Sequence, residues 1–573
     1  MKLQALFWSM ARAGMLALCL INTAASAGRG EQPREQAAAY DLVIRNAKIV
    51  DGTGNPWFHG DLAIRGERIV AVGFVPPAAT KRTIDAHGHV LAPGFIDIHS
   101  HSDLLLLEDG NAESKIRQGV TTEVLGEGES AGPAETRRTV MAHGKSIGWR
   151  TLGEYLKAVE ENGVAVNVAS YVGLDTVWQG VMGRSFERPK PAQFEEMKLS
   201  IDGAMRDGAF GLSSQLAMPP GSLATTDDIV ELCKAVALHH GTYSAHMRNE
   251  GTGIFDSVKE VIAIAERAHI PADAIHLKIA DQKYWGRMNE VVQLIEDARR
   301  RGVNVQANVY PYTRGNNNLS SIVPPWAHEG GTKAMLDRLA NSQERERLKK
   351  EIRHGLPGWY NHFTAVGGDW GRVLINGKGV YEGLTMDRII AAKSKGKNPE
   401  PDALDILFDL LIEQGGSVPA IYEHHTEADM NVALSQSWCS IGSDGLAYAV
   451  EGPLRRGYPH PRSFGTFPRI LGVYVRERGL LRLEDAIRKM TSLNAAKLGL
   501  SDRGLLRAGC FADLVLFDAD RIVDRSTYAD PFHYAEGIEY VIVNGQVVLD
   551  HDKHSGARPG HALRHGGQAI APK

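Results

Sequence analysis

From residue 93 onward the chain repeats one pattern, a short apolar run followed by a longer stretch of helical periodicity. Eight such runs fall at 94–101, 121–127, 166–173, 210–216, 242–248, 274–280, 303–312 and 439–445. The segments between them are amphipathic, as at 191–207, 227–239, 257–268 and 288–301. Strands separated by helices reach their neighbours by crossovers and pair in parallel, not as hairpins. Eight repeats of that unit predict an α/β fold, a (β/α)8 TIM-like barrel spanning 93–500. An open, doubly wound sheet is the alternative. The seventh and eighth strands lie far apart in sequence. Between them come a charged helical piece, 333–353, and a Gly/Trp-rich piece, 354–373. Together they predict a lid insertion at about 330–375, because long excursions in compact folds are usually functional.

The flanks follow a different grammar. Residues 40–92 and 501–552 carry short strands joined by glycine-rich turns, such as Asp51-Gly52-Thr53-Gly54. They predict one small β-sandwich domain built from both chain ends. At the N-terminus, Lys2 and Arg12 precede an apolar stretch at 13–21 and the small residues Ala25-Ser26-Ala27. That order reads as a signal peptide over 1–27, which implies a secreted or periplasmic protein. The apolar stretch is too short to span a bilayer. Residues 28–39 are polar and small, and 553–573 are His-, Gly- and Pro-rich; both are expected to be disordered. Cys19 leaves with the signal, and Cys233, Cys439 and Cys510 make no disulfide or Cys-x-x-Cys pattern. A net charge of −4 without basic clusters argues against nucleic acid as a partner.

The chemistry lies at the strand ends. His99 and His101 close the first run, Gly94-Phe95-Ile96-Asp97-Ile98-His99-Ser100-His101. A chain with this many histidines contains about one His-x-His pair by chance, so the pair counts only in context. The context is a buried strand whose period of two aims both rings to one side, at the barrel's functional end. Glu127 closes the second run, His246 lies in the fifth, His276 in the sixth, and Asp444 in the eighth. Imidazole and carboxylate together suit zinc and leave a position open for water. Gly-x-Ser-x-Gly is absent, which argues against a serine hydrolase.

This arrangement resembles the amidohydrolase superfamily. The stretches Gly119-Val120-Thr121-Thr122, His246-Met247-Arg248-Asn249-Glu250, Tyr310-Pro311-Tyr312-Thr313, Gly442-Ser443-Asp444-Gly445 and His460-Pro461-Arg462-Ser463-Phe464-Gly465-Thr466-Phe467 are similar to the N-acyl-D-amino-acid deacylase (D-aminoacylase) family. So are Ala529-Asp530-Pro531-Phe532 and Glu536-Gly537-Ile538-Glu539-Tyr540-Val541. The resemblance implies zinc-dependent hydrolysis of the amide bond of N-acyl-D-amino acids, small-molecule substrates, with one or two Zn2+ ions. It implies that His99, His101 and Asp444 hold one metal position and His246 and His276 the other. Asp444 would act as general base and then acid, and Lys278, Tyr310 and Arg462 would receive the substrate carboxylate. One departure stands out. The deacylases usually have a cysteine where this chain has Gly128, and the fourth run contains no lysine to bridge metals. Glu127 is the candidate bridge, with Glu129 its rival. Arg314 either favours an acidic substrate side chain such as that of D-glutamate or simply faces solvent. The alternatives are another amidohydrolase, such as a D- or iso-dipeptidase or a cyclic amide hydrolase, and a catalytically silent binding barrel. A silent barrel would be expected to have lost ligands.

Overall fold

The computed structural model describes residues 39–142 and 144–566. The expected signal peptide, nearly all of the expected leader and residues 567–573 lie outside the described residues. The strands Phe95–Asp97, Val120–Leu125 and Asn167–Ser170 pair in parallel. Val172–Gly173, Gly211–Gln215, Thr242–His246, Ala272–Ala274, Val305–Val309 and Cys439–Ile441 continue in parallel. Asn167–Ser170 and Val172–Gly173 are one strand interrupted at Tyr171, so the series has eight members. It closes on itself. Ser100 bridges Gly445, the Asp444 amide donates to His99 O (2.8 Å), and the His101 amide donates to Gly445 O (3.0 Å). At the other end of this seam the Asn494 amide donates to both Ile96 O and Ile441 O. Gly442 is needed here, since a Cβ would stand 2.9 Å from that of His99.

Amphipathic helices cover the outside, among them Leu152–Asn162, Pro191–Asp207, Thr226–Ala237, Ile254–Ala268 and Met288–Arg300. Their buried faces, for example Val258, Val261, Ile262 and Ala265, join the ring's apolar residues in one core. Most of the strands are shorter than the apolar runs suggested, and the sixth, expected at 274–280, is displaced to Ala272–Ala274. The sixth ladder stops at Ala274, because the Asn308 side chain replaces it. Asn308 Nδ2 donates to Asp273 and Oδ1 accepts from the His276 amide (3.0 Å). His276 consequently turns into the left-handed region (φ +38°), as does Asp444 (φ +50°).

Both chain ends build one continuous nine-stranded sheet rather than two separate ones. Its joint is Val90–Pro93, parallel to Tyr40–Ile49 and antiparallel to Leu514–Phe517, and it runs directly into the first ring strand.

The insertion is larger than 330–375. Arg314–Asn318 pairs with Pro419–Glu423, which pairs with Val373–Ile375, so the excursion spans 314–423. It has its own core, including Leu319, Leu348, Leu407, Phe408 and Tyr422. The charged helix marked only its middle; the paired strands at its ends are too polar to stand out.

Residues 553–566, expected to be disordered, also pack. His561 O accepts from the Val168 amide, the Leu563 amide donates to Val168 O, and Ala562 is buried. A Cβ on Gly560 would lie 2.0 Å from Val166 O, so the small residues that suggested disorder permit this close approach.

Candidate metal centre and active site

Two clusters of ligand-type side chains face one cavity of about 280 Å3 at the C-terminal end of the ring strands. In the first, His99 Nε2 lies 3.2 Å from His101 Nε2, and Asp444 Oδ1 lies 3.0 Å from His101 Nε2 and 3.5 Å from His99 Nε2. In the second, His246 Nδ1 lies 3.1 Å from His276 Nε2. Glu250 Oε1 sits 2.9 Å from the other His276 nitrogen, and Glu250 Oε2 is 3.8 Å from His246 Nε2. Burial lowers the pKa of His99 and of His276 well below the usual imidazole value, and that of His246 to about 3. Neutral imidazole is the form that ligates metal. Lone pairs converging this closely with a carboxylate oxygen call for a cation between them, so the donor set fits zinc.

Asp444 is buried. That alone would raise its pKa, but the Arg462 guanidinium, then His99 and His101, hold it well below the usual carboxylate range. Arg462 Nη1 lies 2.7 Å from Asp444 Oδ2, and its guanidinium stands over the Tyr310 ring. Arg462 is therefore a buried partner of Asp444 as well as a wall of the cavity. Lys278 lies beside the second cluster, donating to Glu250 Oε1 (2.6 Å). Burial lowers its pKa, and Glu250 opposes the shift. Tyr310 lines the same cavity, and its hydroxyl has no hydrogen-bond partner among the described residues.

Glu127 and Glu129 separate cleanly. Glu127 is buried in the cavity wall, whereas Glu129 is exposed outside it. Ser244 donates to Glu127 Oε1 (2.6 Å), and Oε2 is buried without a partner. Burial, helped by Asp273 and Asp444, pushes the Glu127 carboxyl up to about 8. It forms no ion pair with the four histidines among the described residues, so the structure brings it to the cavity but not into either cluster.

Arg314 does not serve as expected. It pairs with Glu423 (2.5 Å), stacks over Tyr528 and is absent from the cavity wall. Arg314→Ala is therefore expected to leave the ratio of activities on N-acetyl-D-glutamate and N-acetyl-D-leucine within about twofold of wild type, since an exposed pair contributes little. A tenfold fall in that ratio would return Arg314 to the site.

Several functional residues were missed in the sequence. Glu250 lies against His276, and it ends the family-like stretch His246-Met247-Arg248-Asn249-Glu250 without having been given a role there. Beneath the first cluster lies a fully buried network. Lys115 Nζ donates to Asp97 Oδ2 (2.7 Å), Ser443 Oγ (2.9 Å) and Ser100 Oγ (3.1 Å), while Ser100 and Ser102 donate to Glu123. The insertion adds Gly315, Asn316, Asn317 and His362 to the wall, and His424 joins them directly after it.

Known proteins share this layout. An Amidohydrolase family model matches residues 82–161 and 453–549. D-aminoacylase of Alcaligenes xylosoxydans xylosoxydans is 33% identical over 91% of this chain and 97% of its own. N-acyl-D-aspartate deacylase of the same organism is 34% identical over 92% of this chain and 96% of its own. The crystal structure of N-acyl-D-glutamate deacylase from Bordetella bronchiseptica, complexed with zinc and a phosphonate mimic of the tetrahedral intermediate, superposes with a TM-score of 0.75 at 29% identity. That match covers 92% of this chain and 99% of the other. With ring, paired clusters and near-full-length likeness in agreement, the chain belongs to the N-acyl-D-amino-acid deacylase (D-aminoacylase) family of amidohydrolases.

Proposed function

We propose that this protein is a zinc-dependent hydrolase of N-acyl-D-amino acids, releasing a carboxylate and a free D-amino acid. The observation that carries the reading is the convergence of two ligand clusters on one cavity in a chain of this family. The ring and its helices are read as a (β/α)8 barrel, the nine-stranded sheet as its small β domain, and 314–423 as a lid. The pattern from Lys2 to Ala27 supports export to the periplasm or medium.

His99, His101 and Asp444 would hold one ion and His246 and His276 a second, with Glu127 on the same cavity wall as a candidate further ligand. Bound zinc supplies Lewis acidity, polarising the acyl oxygen and lowering the pKa of water toward about 7. Asp444, kept ionised by Arg462, accepts the proton of the attacking water at Oδ1. Arg462 fixes Oδ2, so the carboxylate stays aimed while it returns that proton to the leaving amine nitrogen. Lys278, Tyr310 and Arg462 receive the substrate's α-carboxylate. Glu250 and Asp444 already hold the two cations in place, so they meet the substrate preorganised.

A panel of N-acetyl-D- and L-amino acids, D-dipeptides and hydantoins tests the reading. Turnover confined to the N-acetyl-D-amino acids and lost with a chelator is expected; full activity in metal-free enzyme would overturn it. Glu127→Ala is expected to lower the zinc retained per chain after dialysis, as loss of a ligand or its support weakens metal affinity by about 10–100-fold. Unchanged metal content by atomic absorption would remove Glu127 from the ligand set.

A further inference from the structure

One wall of the cavity is built by the insertion and by His424 just after it, and its polar atoms can be assigned one by one. His425 Nε2 lies 2.8 Å from Tyr312 O, which can only accept, so that nitrogen carries the proton. Burial lowers the His425 pKa to about 3, so the ring is neutral and its Nδ1 is a lone pair. His424 Nδ1 lies 3.0 Å away and must be the donor. Burial likewise keeps His424 neutral, leaving its Nε2 as a bare acceptor on the cavity wall. Asn317 Oδ1 accepts from the Asn318 amide, which turns Nδ2 toward His362 Nε2 (3.0 Å). His362 therefore carries its proton on Nδ1. That atom is buried and has no partner. Asn316 Oδ1 accepts from Asn376 Nδ2, leaving its own amide hydrogens for the cavity.

The buried His362 Nδ1 is closed off from the cavity, so the wall offers a donor at Asn316 and an acceptor at His424. Neither carries a charge. The two cations that line the cavity, Lys278 and Arg462, are each held by a buried carboxylate. Gly315 ties this wall to the carboxylate-receiving side, since a Cβ there would stand 2.8 Å from His424 Nε2 and 3.7 Å from the Tyr310 hydroxyl. An amino acid carries its side chain and carboxylate on the same carbon, so a group beside Tyr310 reads the side chain.

We propose that the wall of Asn316 and His424 is a side-chain subsite for a neutral carboxamide, making this enzyme selective for N-acyl-D-glutamine or N-acyl-D-asparagine. The carboxamide oxygen accepts from the Asn316 amide, and its NH2 donates to His424 Nε2. A carboxylate in the same place would face the His424 lone pair while both cations are engaged by the α-carboxylate, and an alkyl side chain would leave the two polar groups unpaired. The inference rests on the deacylase reading above.

The test is kcat/KM of the zinc-loaded enzyme on N-acetyl-D-glutamine, -asparagine, -glutamate and -leucine. The better carboxamide substrate is expected to exceed glutamate by about 100-fold and leucine by at least about tenfold, as sites built for hydrogen bonds reject analogues that cannot make them. His424→Phe and, separately, Asn316→Leu are each expected to lower the carboxamide-to-leucine ratio by about tenfold. Glutamate or leucine as the best wild-type substrate would overturn the subsite, as would an unchanged ratio in both variants. Turnover of none of the four would overturn the deacylase reading itself, an outcome distinct from a wrong order among them.

Discussion

Asp444→Asn is expected to lower kcat by about 10²–10⁴-fold, the usual worth of a positioned acid–base group. Asparagine keeps the shape of the side chain and one oxygen near His101. It cannot take up the water proton at Oδ1, nor return it to the amine. The wild-type carboxylate is suited to that work because Arg462 and the two strand-one histidines hold it ionised in a buried setting. Steady-state kinetics on N-acetyl-D-amino acids should show the loss in kcat. Metal content measured on the same sample separates a chemical defect from a lost ion. A variant that keeps its zinc and retains more than a tenth of wild-type kcat would exclude Asp444 as the proton carrier.

Lys115→Met is expected to cost about 3–5 kcal/mol of stability, the penalty for leaving buried charge without its partner. Lys115 has no exposed surface, and neither has Asp97 or Glu123. Its ammonium lies 2.7 Å from Asp97 and 3.5 Å from Glu123, so one substitution strands two carboxylates in the interior. Methionine fills most of the volume and supplies no charge. The damage should also reach the site. Asp97 accepts from the Ser443 amide and hydroxyl immediately before Asp444, and Glu123 accepts from the serines on either side of His101. Urea unfolding followed by tryptophan fluorescence measures the effect, and a change below about 1 kcal/mol would show that the network is not the support described here.

The ring was legible in the sequence because its strands are buried on both sides and therefore read as nearly continuous apolar runs, as in Phe95-Ile96 and Val124-Leu125. The four histidines and Asp444 were legible for the same reason: each sits within or at the end of such a run. Chemistry carried by residues without that frame was hidden. Glu250 follows His246 by four positions in a loop, and only the fold turns it onto His276. Lys115 and Glu123 look like ordinary charged residues until burial reveals them. The insertion's limits were lost because Arg314-Gly315-Asn316-Asn317-Asn318 has none of the β-branched or aromatic character of a strand; pairing with 419–423 makes it one. The packed segment at 553–566 was misread because glycine and proline serve close packing as readily as disorder.

The insertion's separate core has a consequence for how such an enzyme can change. The metal-type side chains are anchored in the interior of the ring, while Gly315, Asn316, Asn317 and His362 belong to a segment, 314–423, with an interior of its own. Both ends of that segment lie beside the cavity mouth, one just after Tyr310 and the other just before His424. Metal ligation and much of the side-chain wall therefore rest on different cores. A graft that exchanges 314–423 for the equivalent stretch of another family member would alter what the cavity accepts while leaving the ring histidines and Asp444 on their original footing.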